Sequence, residues 1–471
     1  MAGQKYDIGM VGLGVMGRNL VLNIAEHGFS AAGYDNDPSK VEELQRESEG
    51  RPILAVGNLG DFVGALSSPC AIMLLVPAGQ IVDTVIRNLL PYLKPGDLIV
   101  DAGNSHFKDT DLRSKSLAEK GILFMGVGIS GGEEGARRGP SLMPGGPKDA
   151  YERVKPIFEA VAAKVDGNPC VTYLGPGSAG HYVKMVHNGI EYGLMELIAE
   201  SYDLLKRGVG LSDAELSALY HDWNEGELNA YLLEITSRIF QKADPQTGKQ
   251  LVDVILDIAK QKGTGMWTSQ DAMDLSVPTP ITDSAVAMRN LSILKSEREA
   301  ASKKYGTRAI LFKGDRSKLL TKLRNAIFAS MFIAFAQELA QLQAASAQYR
   351  YGLKLEDIAR IWRGGCIIRA RLLEDIRTAY HAHPRLTNLL EDRRVRKIVK
   401  KNQKDLRFIV QLSAKLGIPI PGLMAALAYF DGYRSAWLPA NLIQAQRDDF
   451  GAHLYERVDQ RGEFHTNWDQ I

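Results

Sequence analysis

A glycine-rich turn near the N-terminus constrains the fold of this chain more than any other feature. The apolar run YDIGMVG leads into GLGVMG, so Gly12, Gly14 and Gly17 form a G-x-G-x-x-G pattern between a predicted strand and a predicted helix. The first glycine allows the tight turn, the second lets the backbone approach a pyrophosphate, and the third permits close helix–strand packing. Asp35 follows at the end of the next predicted strand. This context predicts a dinucleotide site rather than a plain glycine-rich turn.

The first third of the chain alternates short apolar runs with helical patterns. The predicted buried strands cover 6–12, 30–34, 71–76, 97–102 and 122–128, with helices near 16–26, 78–90, 109–120 and 149–163. Such alternation predicts an α/β, doubly wound, Rossmann-like domain. From about residue 179 the strand patterns stop and long helical periodicities follow. We therefore expect a dinucleotide-binding domain at 1–178, a large all-α domain at 179–433 and a C-terminal tail at 434–471.

Composition and charge narrow the possible partners. The 471 residues are 45% hydrophobic and 24% charged with a formal charge of +2, so nothing global indicates nucleic acid or a membrane surface. Three widely spaced cysteines show no metal-ligand spacing and suit a reducing compartment, and no signal-peptide pattern precedes the first strand, so we expect a cytoplasmic, metal-free protein. The apolar segment 326–336 is too short to span a bilayer and predicts a buried helix. The basic run 393–407 predicts a helix with a solvated basic face.

A mixed polar stripe interrupts the apolar segment VKMVHNGIEYG. Lys184, His187, Asn188, Glu191 and Tyr192 recur at helical spacing and share one predicted helix face. An ordinary surface helix would carry long charged side chains, whereas this stripe combines a base, an acid and hydrogen-bonding groups. The pattern indicates a functional site, with a buried hydrogen-bonded network as the structural alternative.

Two segments of the predicted α/β domain offer ligand-binding groups. GISGGEEGARRGPSLMPGG has too many glycines for a helix or strand, and in the predicted loop Ser130, Gly131 and Gly132 suit an anion such as a carboxylate. A mobile surface loop is the alternative. Asn104 follows the carboxyl end of a predicted strand, where open α/β sheets bind ligands, although an Asx turn is an equally good explanation.

Three segments of the helical part offer cationic and hydroxyl groups. QKGTGMW places Lys262 and Thr264 among glycines, which suits a phosphate, and Arg289 follows in a helical stretch. Arg447 and His453 lie in QRDDFGAH. Taken singly, each of these residues is more typical of surface charge.

Together these motifs make the chain resemble the decarboxylating 6-phosphogluconate dehydrogenases. The resemblance covers nearly the whole chain, in the family's order: GLGVMG, SGGEEGAR with GPSLMPGG, KMVHNGIEYG, QKGTGMW, LPANLIQAQRDDFGAH and the terminal HTNW. GLGVMG is shared with the wider 3-hydroxyacid dehydrogenase superfamily, whereas KMVHNGIEYG, and QKGTGMW with QRDDFGAH, are specific to the family. The resemblance implies a Rossmann-like domain, an all-α domain, and a tail that inserts into the other subunit of a homodimer. The implied activity is oxidative decarboxylation of 6-phosphogluconate to ribulose 5-phosphate and CO₂, in the pentose phosphate pathway, with reduction of NAD or NADP.

The resemblance also implies a role for each candidate residue. Lys184 corresponds to the general base and acid, and Glu191 to the acid that protonates the carbon. The positions corresponding to substrate ligands are Asn104, His187 and Asn188 for the hydroxyls, Ser130, Gly131 and Gly132 for the C1 carboxylate, Tyr192, Lys262, Thr264 and Arg289 for the 6-phosphate, and Arg447 and His453 contributed to that phosphate by the partner subunit. The positions corresponding to cofactor contacts are Gly12, Leu13, Gly14, Val15, Met16, Gly17, Asp35, Asn36, Val76 and Asn104.

The sequence departs from the family pattern where the second predicted strand ends. NADP-using relatives have Asn-Arg-Thr where this chain has Asp35, Asn36 and Asp37, and Pro77 stands where they commonly carry lysine. A carboxylate accepts hydrogen bonds from the ribose hydroxyls and repels a 2′-phosphate, so we expect NAD to be favoured over NADP. The alternative is that Asp35 and Asp37 merely cap the helix that begins near Pro38.

Two other functions remain open on the sequence. A dehydrogenase of a non-phosphorylated 3-hydroxyacid would share GLGVMG and the SGG segment, but not the long C-terminal third. A non-catalytic dinucleotide-binding dimer would have no need for both Lys184 and Glu191.

Overall fold

A seven-stranded sheet forms the N-terminal part of this computed structural model, which describes residues 5–306 and 310–469. The strand order is β3-β2-β1-β4-β5-β6-β7, parallel throughout except for the antiparallel β6–β7 pair. The strands are β1 Ile8–Val11, β2 Ala31–Tyr34, β3 Ile53–Val56, β4 Ala71–Leu74, β5 Leu98–Asp101, β6 Leu123–Ser130 and β7 Ser141–Gly145. The strand order reverses between the adjacent strands β1 and β4. Open α/β sheets bind ligands in the crevice at such a switch point.

Seven helices cover the two faces of this sheet. They are α1 Val15–Glu26, α2 Pro38–Glu47, α3 Leu59–Ala65, α4 Gln80–Leu89, α5 Phe107–Ala118, α6 Gly132–Arg138 and α7 Lys148–Val161, with a 3₁₀ turn at Leu90–Tyr92. Two antiparallel strands of two residues each, β8 Lys164–Val165 and β9 Asn168–Pro169, follow α7. The predicted doubly wound α/β architecture is therefore confirmed.

The rest of the chain is almost entirely helical, as the sequence predicts. The helices are α8 Ala179–Asp203, α9 Asp213–Asn224, α10 Tyr231–Ile239, α11 Leu251–Val254, α12 Thr264–Asp274, α13 Pro280–Ile293, α14 Lys295–Tyr305, α15 Arg316–Gln348, α16 Leu355–Ile361, α17 Leu372–Ala382, α18 Arg393–Leu416, α19 Pro421–Tyr433 and α20 Ala440–Gly451, with a π-helical turn at Leu204–Val209 and a 3₁₀ turn at Leu389–Glu391. Contrary to the expectation that strands end near residue 179, the tail contains a short antiparallel hairpin, β10 Tyr455–Glu456 with β11 Glu463–Phe464.

Helix α15 forms the centre of the helical core and packs against α8, α18 and α19. It is long and apolar enough to cross a membrane by length and composition, but 72% of its most apolar window is buried inside the protein. The segment 326–336 thus lies in a buried helix, as predicted. Helix α18 buries Val395, Val399, Leu406 and Ile409 and exposes its basic side chains, which agrees with the solvated-face prediction for 393–407.

The loop predicted for residues 128–146 is wrong. These residues form the end of β6, helix α6 and strand β7. Their glycines serve close packing: a Cβ on Gly128 would lie 2.3 Å from the Lys184 Cβ, and one on Gly145 would lie 2.2 Å from the Gly180 backbone nitrogen. A Cβ on Gly180 would in turn lie 2.2 Å from the Gly126 carbonyl oxygen. The glycines therefore let α8 lie directly on β6 and β7, and this contact brings Lys184 to the end of the sheet.

Candidate active site

The first half of α8 carries a buried polar cluster. Lys184 is only 6% exposed, and its Nζ lies 3.5 Å from Nδ1 of His187, which is fully buried. The same Nδ1 lies 3.1 Å from Oδ1 of Asn188. On its other side, His187 places Nε2 3.2 Å from the Ser130 hydroxyl at the end of β6. Four residues that the sequence separates into two motifs are therefore joined in one hydrogen-bonded group.

Burial sets the protonation states in this cluster. Desolvation lowers the pKa of Lys184, although the nearby Glu191 carboxylate partly opposes that shift. Desolvation also raises the pKa of Glu191, against the opposing charges of Lys184 and Arg289. The pKa of His187 lies well below its ordinary value because of burial and the neighbouring lysine. A lysine that loses its proton readily therefore faces a carboxylic acid that keeps its own, which suits general base and acid roles.

The next turn of α8 meets two other elements. The Tyr192 ring stacks beneath the Arg289 guanidinium at 3.5 Å from ring centroid to Cζ. Gly265, the second residue of α12, lies so close to this ring that a Cβ there would be 2.3 Å from Tyr192 Cδ2. Thr264 begins α12 and is buried, whereas Lys262 is exposed just before it. The structure thus brings Tyr192, Thr264 and Arg289 together as a polar group beyond Glu191.

The segment around Ser130 is fixed by a loop of the helical part that the sequence analysis missed. The Ile367 backbone N–H donates to the Ser130 hydroxyl oxygen at 3.4 Å, and Gly131 is packed tightly against the Gly365 carbonyl. The Trp362 ring packs edge-on against His187, with centroids 5.6 Å apart. The sequence signal for this loop is the pair Gly364–Gly365 inside a helical region, which marks a close approach of two backbones.

Asn104 lies in the loop after β5 and is held there by its neighbours. Asp101 accepts a hydrogen bond from the Gly103 N–H at 3.1 Å and from the Ser105 hydroxyl at 2.6 Å. The Arg113 guanidinium lies 3.6 Å from the same carboxylate and also pairs with Asp83 on α4 at 2.7 Å. The turn is therefore stabilised by Asp101, and Asn104 remains exposed to solvent.

A cavity of about 620 Å³ opens at the carboxyl ends of β1, β2 and β4. Of the predicted cofactor residues, Gly12, Gly14, Asp35, Asn36 and Val76 line it; Val15 is exposed at the adjoining start of α1, while Leu13 and Gly17 are buried behind the turn. A Cβ on Gly17 would lie 1.9 Å from the Gly12 carbonyl, whereas one on Gly14 would meet no atom within 4 Å. The turn is thus compact behind and open toward the cavity. Its shape and free helix N-terminus fit the diphosphate of a dinucleotide.

The far end of this cavity is lined by the carboxylate of Asp35 and the amine of Lys40, with Asp37 next in the chain. Asp35 accepts hydrogen bonds from the Leu13 N–H at 2.8 Å and the Asp37 N–H at 3.0 Å, and Asp37 caps α2 through the Ser39 N–H. The capping alternative is therefore correct for Asp37, while Asp35 lines the cavity. Lys40, which the sequence analysis missed, lies 3.7 Å from Asp35. The helix expected near Pro38 carries Lys40 in its first turn, which was the available sequence signal.

Arg447 and His453 lie apart from the other candidates within one chain. Both are exposed on the tail, where Arg447 donates a hydrogen bond to Gln444 and His453 packs edge-on against Phe450. Over residues 5–306 and 310–469, the structure records no hydrogen bond or ion pair from either residue to Tyr192, Thr264 or Arg289. The same described residues contain no group of three or more His, Cys, Asp or Glu side chains suited to a metal ion.

The fold and the site define a nicotinamide-dinucleotide-dependent oxidoreductase with a helical second part. Family models of the NAD-binding domain of 6-phosphogluconate dehydrogenase and of its C-terminal domain match residues 7–175 and 180–468. The chain is 52% identical to the NADP(+)-dependent, decarboxylating 6-phosphogluconate dehydrogenase of Bacillus subtilis, over 98% of this chain and 99% of that one. It is 48% identical to the decarboxylating enzyme of Escherichia coli, with the same coverage.

A solved structure extends this similarity to three dimensions. The 6-phosphogluconate dehydrogenase of Plasmodium falciparum, studied in apo form and with NADP+ or 6-phosphogluconate, superposes with a TM-score of 0.95 at 43% identity, over 98% of this chain and 100% of that one. The chain therefore belongs to the decarboxylating 6-phosphogluconate dehydrogenase family.

Proposed function

We propose that this enzyme oxidises and decarboxylates 6-phosphogluconate to ribulose 5-phosphate and CO₂, with Lys184 as the base and Glu191 as the acid. The observation that carries the assignment is the buried Lys184, whose pKa burial lowers, on one helix face with Glu191. A non-phosphorylated 3-hydroxyacid would leave the group of Tyr192, Thr264 and Arg289 without a ligand. A dinucleotide-binding protein without catalysis would have no use for this acid and base.

The two groups suit consecutive proton transfers. Neutral Lys184 takes the proton of the substrate 3-hydroxyl, and bound nicotinamide supplies the hydride acceptor. The resulting β-keto acid loses CO₂ because its carbonyl accepts the electron pair, and Lys184 returns its proton to that oxygen. The enediol then takes a proton from Glu191 on the carbon that lost CO₂. Residues seven apart on a helix lie about 10 Å apart along its axis, so the two groups flank a short sugar chain.

The other ligands follow the chain of the sugar along α8. We assign Ser130, Gly131 and Gly132 to the carboxylate, Asn104, His187 and Asn188 to the hydroxyls, and Tyr192, Lys262, Thr264 and Arg289 to the 6-phosphate. The order of these groups supports the assignment, because the Ser130–His187 contact lies at one end of Lys184 and the Arg289–Tyr192 pair lies beyond Glu191.

Substitution of Lys184 tests the function. We expect Lys184→Ala and the bulkier Lys184→Met to lower kcat by about 10²–10⁴-fold, because a general base is lost, while dinucleotide affinity stays within about twofold. Turnover is measured by cofactor reduction together with CO₂ release, and dinucleotide binding by fluorescence titration. Exposed Lys120→Ala is the matched control and should behave as wild type. A Lys184→Met enzyme that kept a third of the wild-type kcat would contradict the assignment.

We also propose that NAD is the favoured cofactor. Asp35 lines the cavity together with the neutral Asn36 and Pro77, and Asp37 adds a second carboxylate 4.0 Å from the Lys40 amine. Lys40 is the counter-argument, because its amine neutralises one of the two carboxylates. The net charge of Asp35, Asp37 and Lys40 together remains negative. The 2′-phosphate of NADP carries about −1.5 to −2, so these groups repel it.

The cofactor proposal is tested by kcat/KM for NAD against NADP at one ionic strength. We expect NAD to be preferred by about tenfold or more, which corresponds to ~1.4 kcal/mol. Lys40→Ala should widen that preference, since it removes the amine that could reach a 2′-phosphate. A wild-type preference for NADP that Lys40→Ala abolishes would overturn the proposal and assign phosphate recognition to Lys40.

We further infer a homodimer in which the tail of each subunit supplies Arg447 and His453 to the other. The tail exposes several large apolar side chains, which supports its burial against a partner. These are Trp437, Leu438, Leu442, Ile443 and Phe450.

The three buried free cysteines support a reducing, cytoplasmic setting, where the pentose phosphate pathway would use this reaction. Cell fractionation tests the cytoplasmic location. Loss of 6-phosphogluconate consumption in a deletion strain tests the role in the pathway.

A further inference from the structure

One carboxylate in the exposed tail is completely buried. Asp448 lies on α20 between exposed neighbours, yet its side chain is inaccessible to solvent. Its Oδ1 accepts hydrogen bonds from the Leu454 N–H at 3.1 Å and from His465 Nδ1 at 2.9 Å. Its Oδ2 accepts from the Thr466 N–H at 3.0 Å and from Trp468 Nε1 at 2.9 Å. Both oxygens are thus occupied by pairs of donors from the end of the chain.

The same residue controls the reversal of the chain after α20. The Ala452 N–H donates to the Asp448 backbone carbonyl at 2.9 Å, and Ala452 and Leu454 adopt φ angles of 51° and 58°. Left-handed backbone is unfavourable for residues with a Cβ, so such a turn persists where its surroundings hold it. His453 lies between these two residues, and Gly451 leaves room for its ring, since a Cβ there would lie 2.8 Å from His453 Nε2.

We propose that Asp448 is a positioning residue that folds the tail into a rigid unit and thereby presents Arg447 and His453 to the substrate phosphate. The inference rests on the proposed function of those two residues. The Asp448 side chain is buried within the tail, while its neighbour Arg447 is exposed on the same helix and His453 lies at the tip of the turn that Asp448 closes. A preformed tail reduces the conformational entropy that substrate binding would otherwise have to overcome.

The chemistry of the site explains why a carboxylate is required. Burial raises the pKa of Asp448, but hydrogen bonds from His465, Thr466 and Trp468 outweigh it and bring the pKa to about 2, so the group is an acceptor at every working pH. An asparagine has one acceptor oxygen and one NH₂ group. In Asp448→Asn the NH₂ would face two N–H donors, so the turn would open while the size of the side chain stayed the same.

The test compares Asp448→Asn with Asp449→Asn, its exposed neighbour on the same helix. We expect Asp448→Asn to raise KM for 6-phosphogluconate about tenfold or more with kcat changed far less and KM for the dinucleotide unchanged, whereas Asp449→Asn stays near wild type. Trp468→Phe keeps the aromatic ring but removes one of the four donors, and it should give an intermediate KM. Size exclusion and thermal unfolding accompany each measurement.

The Arg447→Ala/His453→Ala double variant distinguishes positioning from general loss of structure. If Asp448 acts through Arg447 and His453, adding Asp448→Asn or Trp468→Phe to the double variant should change its KM by no more than about twofold. The reason is that the substrate contacts that Asp448 supports are already absent from the double variant. A full additional KM rise in that background, or a wild-type KM in Asp448→Asn, would overturn the inference. If Asp448→Asn fails to fold, Trp468→Phe in the wild-type background and in the double variant is judged by the same criteria. An unchanged KM in the double variant itself would instead refute the proposed phosphate role of the tail.

Discussion

Burial at individual residues is what converts an ordinary lysine and glutamate into a base and an acid. Lys184 is almost completely buried, so desolvation favours its uncharged form, and the partly buried Glu191 is stabilised in its protonated form for the same reason. Each residue's charge also favours ionisation of the other, so the two groups titrate as a pair.

This pair predicts a bell-shaped dependence of kcat/KM on pH. Lys184 must be neutral to accept a proton, so activity is lost as the pH falls through its lowered pKa. Glu191 must be protonated to donate one, so activity is also lost as the pH rises through its raised pKa. Glu191→Gln should remove the alkaline limb and lower kcat by about 10²–10⁴-fold. The profile is measured between pH 5 and 10 with a constant-ionic-strength buffer, and an alkaline limb that persisted in Glu191→Gln would assign that limb to another group.

Among the elements, α8 depends on contacts on both of its sides. Its N-terminus lies on β6 and β7 through glycine, while Thr268 on α12 donates a hydrogen bond to the Met185 carbonyl at 2.9 Å. Thr282 on α13 similarly donates to the Gly189 carbonyl at 3.2 Å and contacts the buried Glu338, whose pKa burial raises to about 8. Helices α12, α13 and α15 thereby hold the catalytic face of α8 in a single position.

The space around two glycines predicts that their replacement by alanine changes the stability of the protein in opposite directions. Gly180→Ala places a methyl group 2.2 Å from the Gly126 carbonyl, where backbone has to move, so we expect a loss of about 1–3 kcal/mol or more and a lower kcat through displacement of Lys184. Gly64→Ala on α3 meets no atom within 4 Å and should add about 0.5–1 kcal/mol, because alanine favours the helix. Denaturant unfolding measures both, and a Gly180→Ala protein as stable as wild type would show that α8 is not fixed by this contact.

At the scale of the whole molecule, the tail is only weakly attached to the rest of its own chain. Helix α20 packs against its own hairpin β10–β11 and exposes its other apolar side chains. An arm with so little attachment to its own subunit fits the proposed exchange between two subunits. Its internal order then comes from Asp448 rather than from the body of the protein.

Deletion of residues 440–471 tests the shared tail. We expect KM for 6-phosphogluconate to rise at least about tenfold and the dimer to weaken, because Arg447, His453 and the apolar surface of α20 are all removed. Dinucleotide affinity should be unchanged, since the cavity of the sheet lies elsewhere. Sedimentation equilibrium and steady-state kinetics give the result. Unchanged dimer dissociation together with an unchanged KM would contradict the shared tail.

The amino-acid sequence by itself determined what depends on local periodicity. Five strands of the sheet, the glycine turn of Gly12–Gly17 and the polar face from Lys184 to Tyr192 could all be predicted, since each depends on residue type and spacing within a single element. The strand β3 carries too weak a pattern to be predicted, and the helix near Pro38 is considered only for its capping residues, so Lys40 is not singled out. The segment 128–146 was misread because glycine signals a tight approach as well as a loop.

Tertiary structure alone decided which of these surfaces meet. The Ser130 hydroxyl lies between His187 and the Ile367 backbone, although the three residues belong to distant segments. The shift in the pKa of Lys184 depends on everything packed around it, and Asp448 is buried by residues that follow it by up to 20 positions. A sequence records the affinity of each residue for burial or for water, but hydrogen bonds, desolvation and close packing arise between residues that only the folded chain brings into contact.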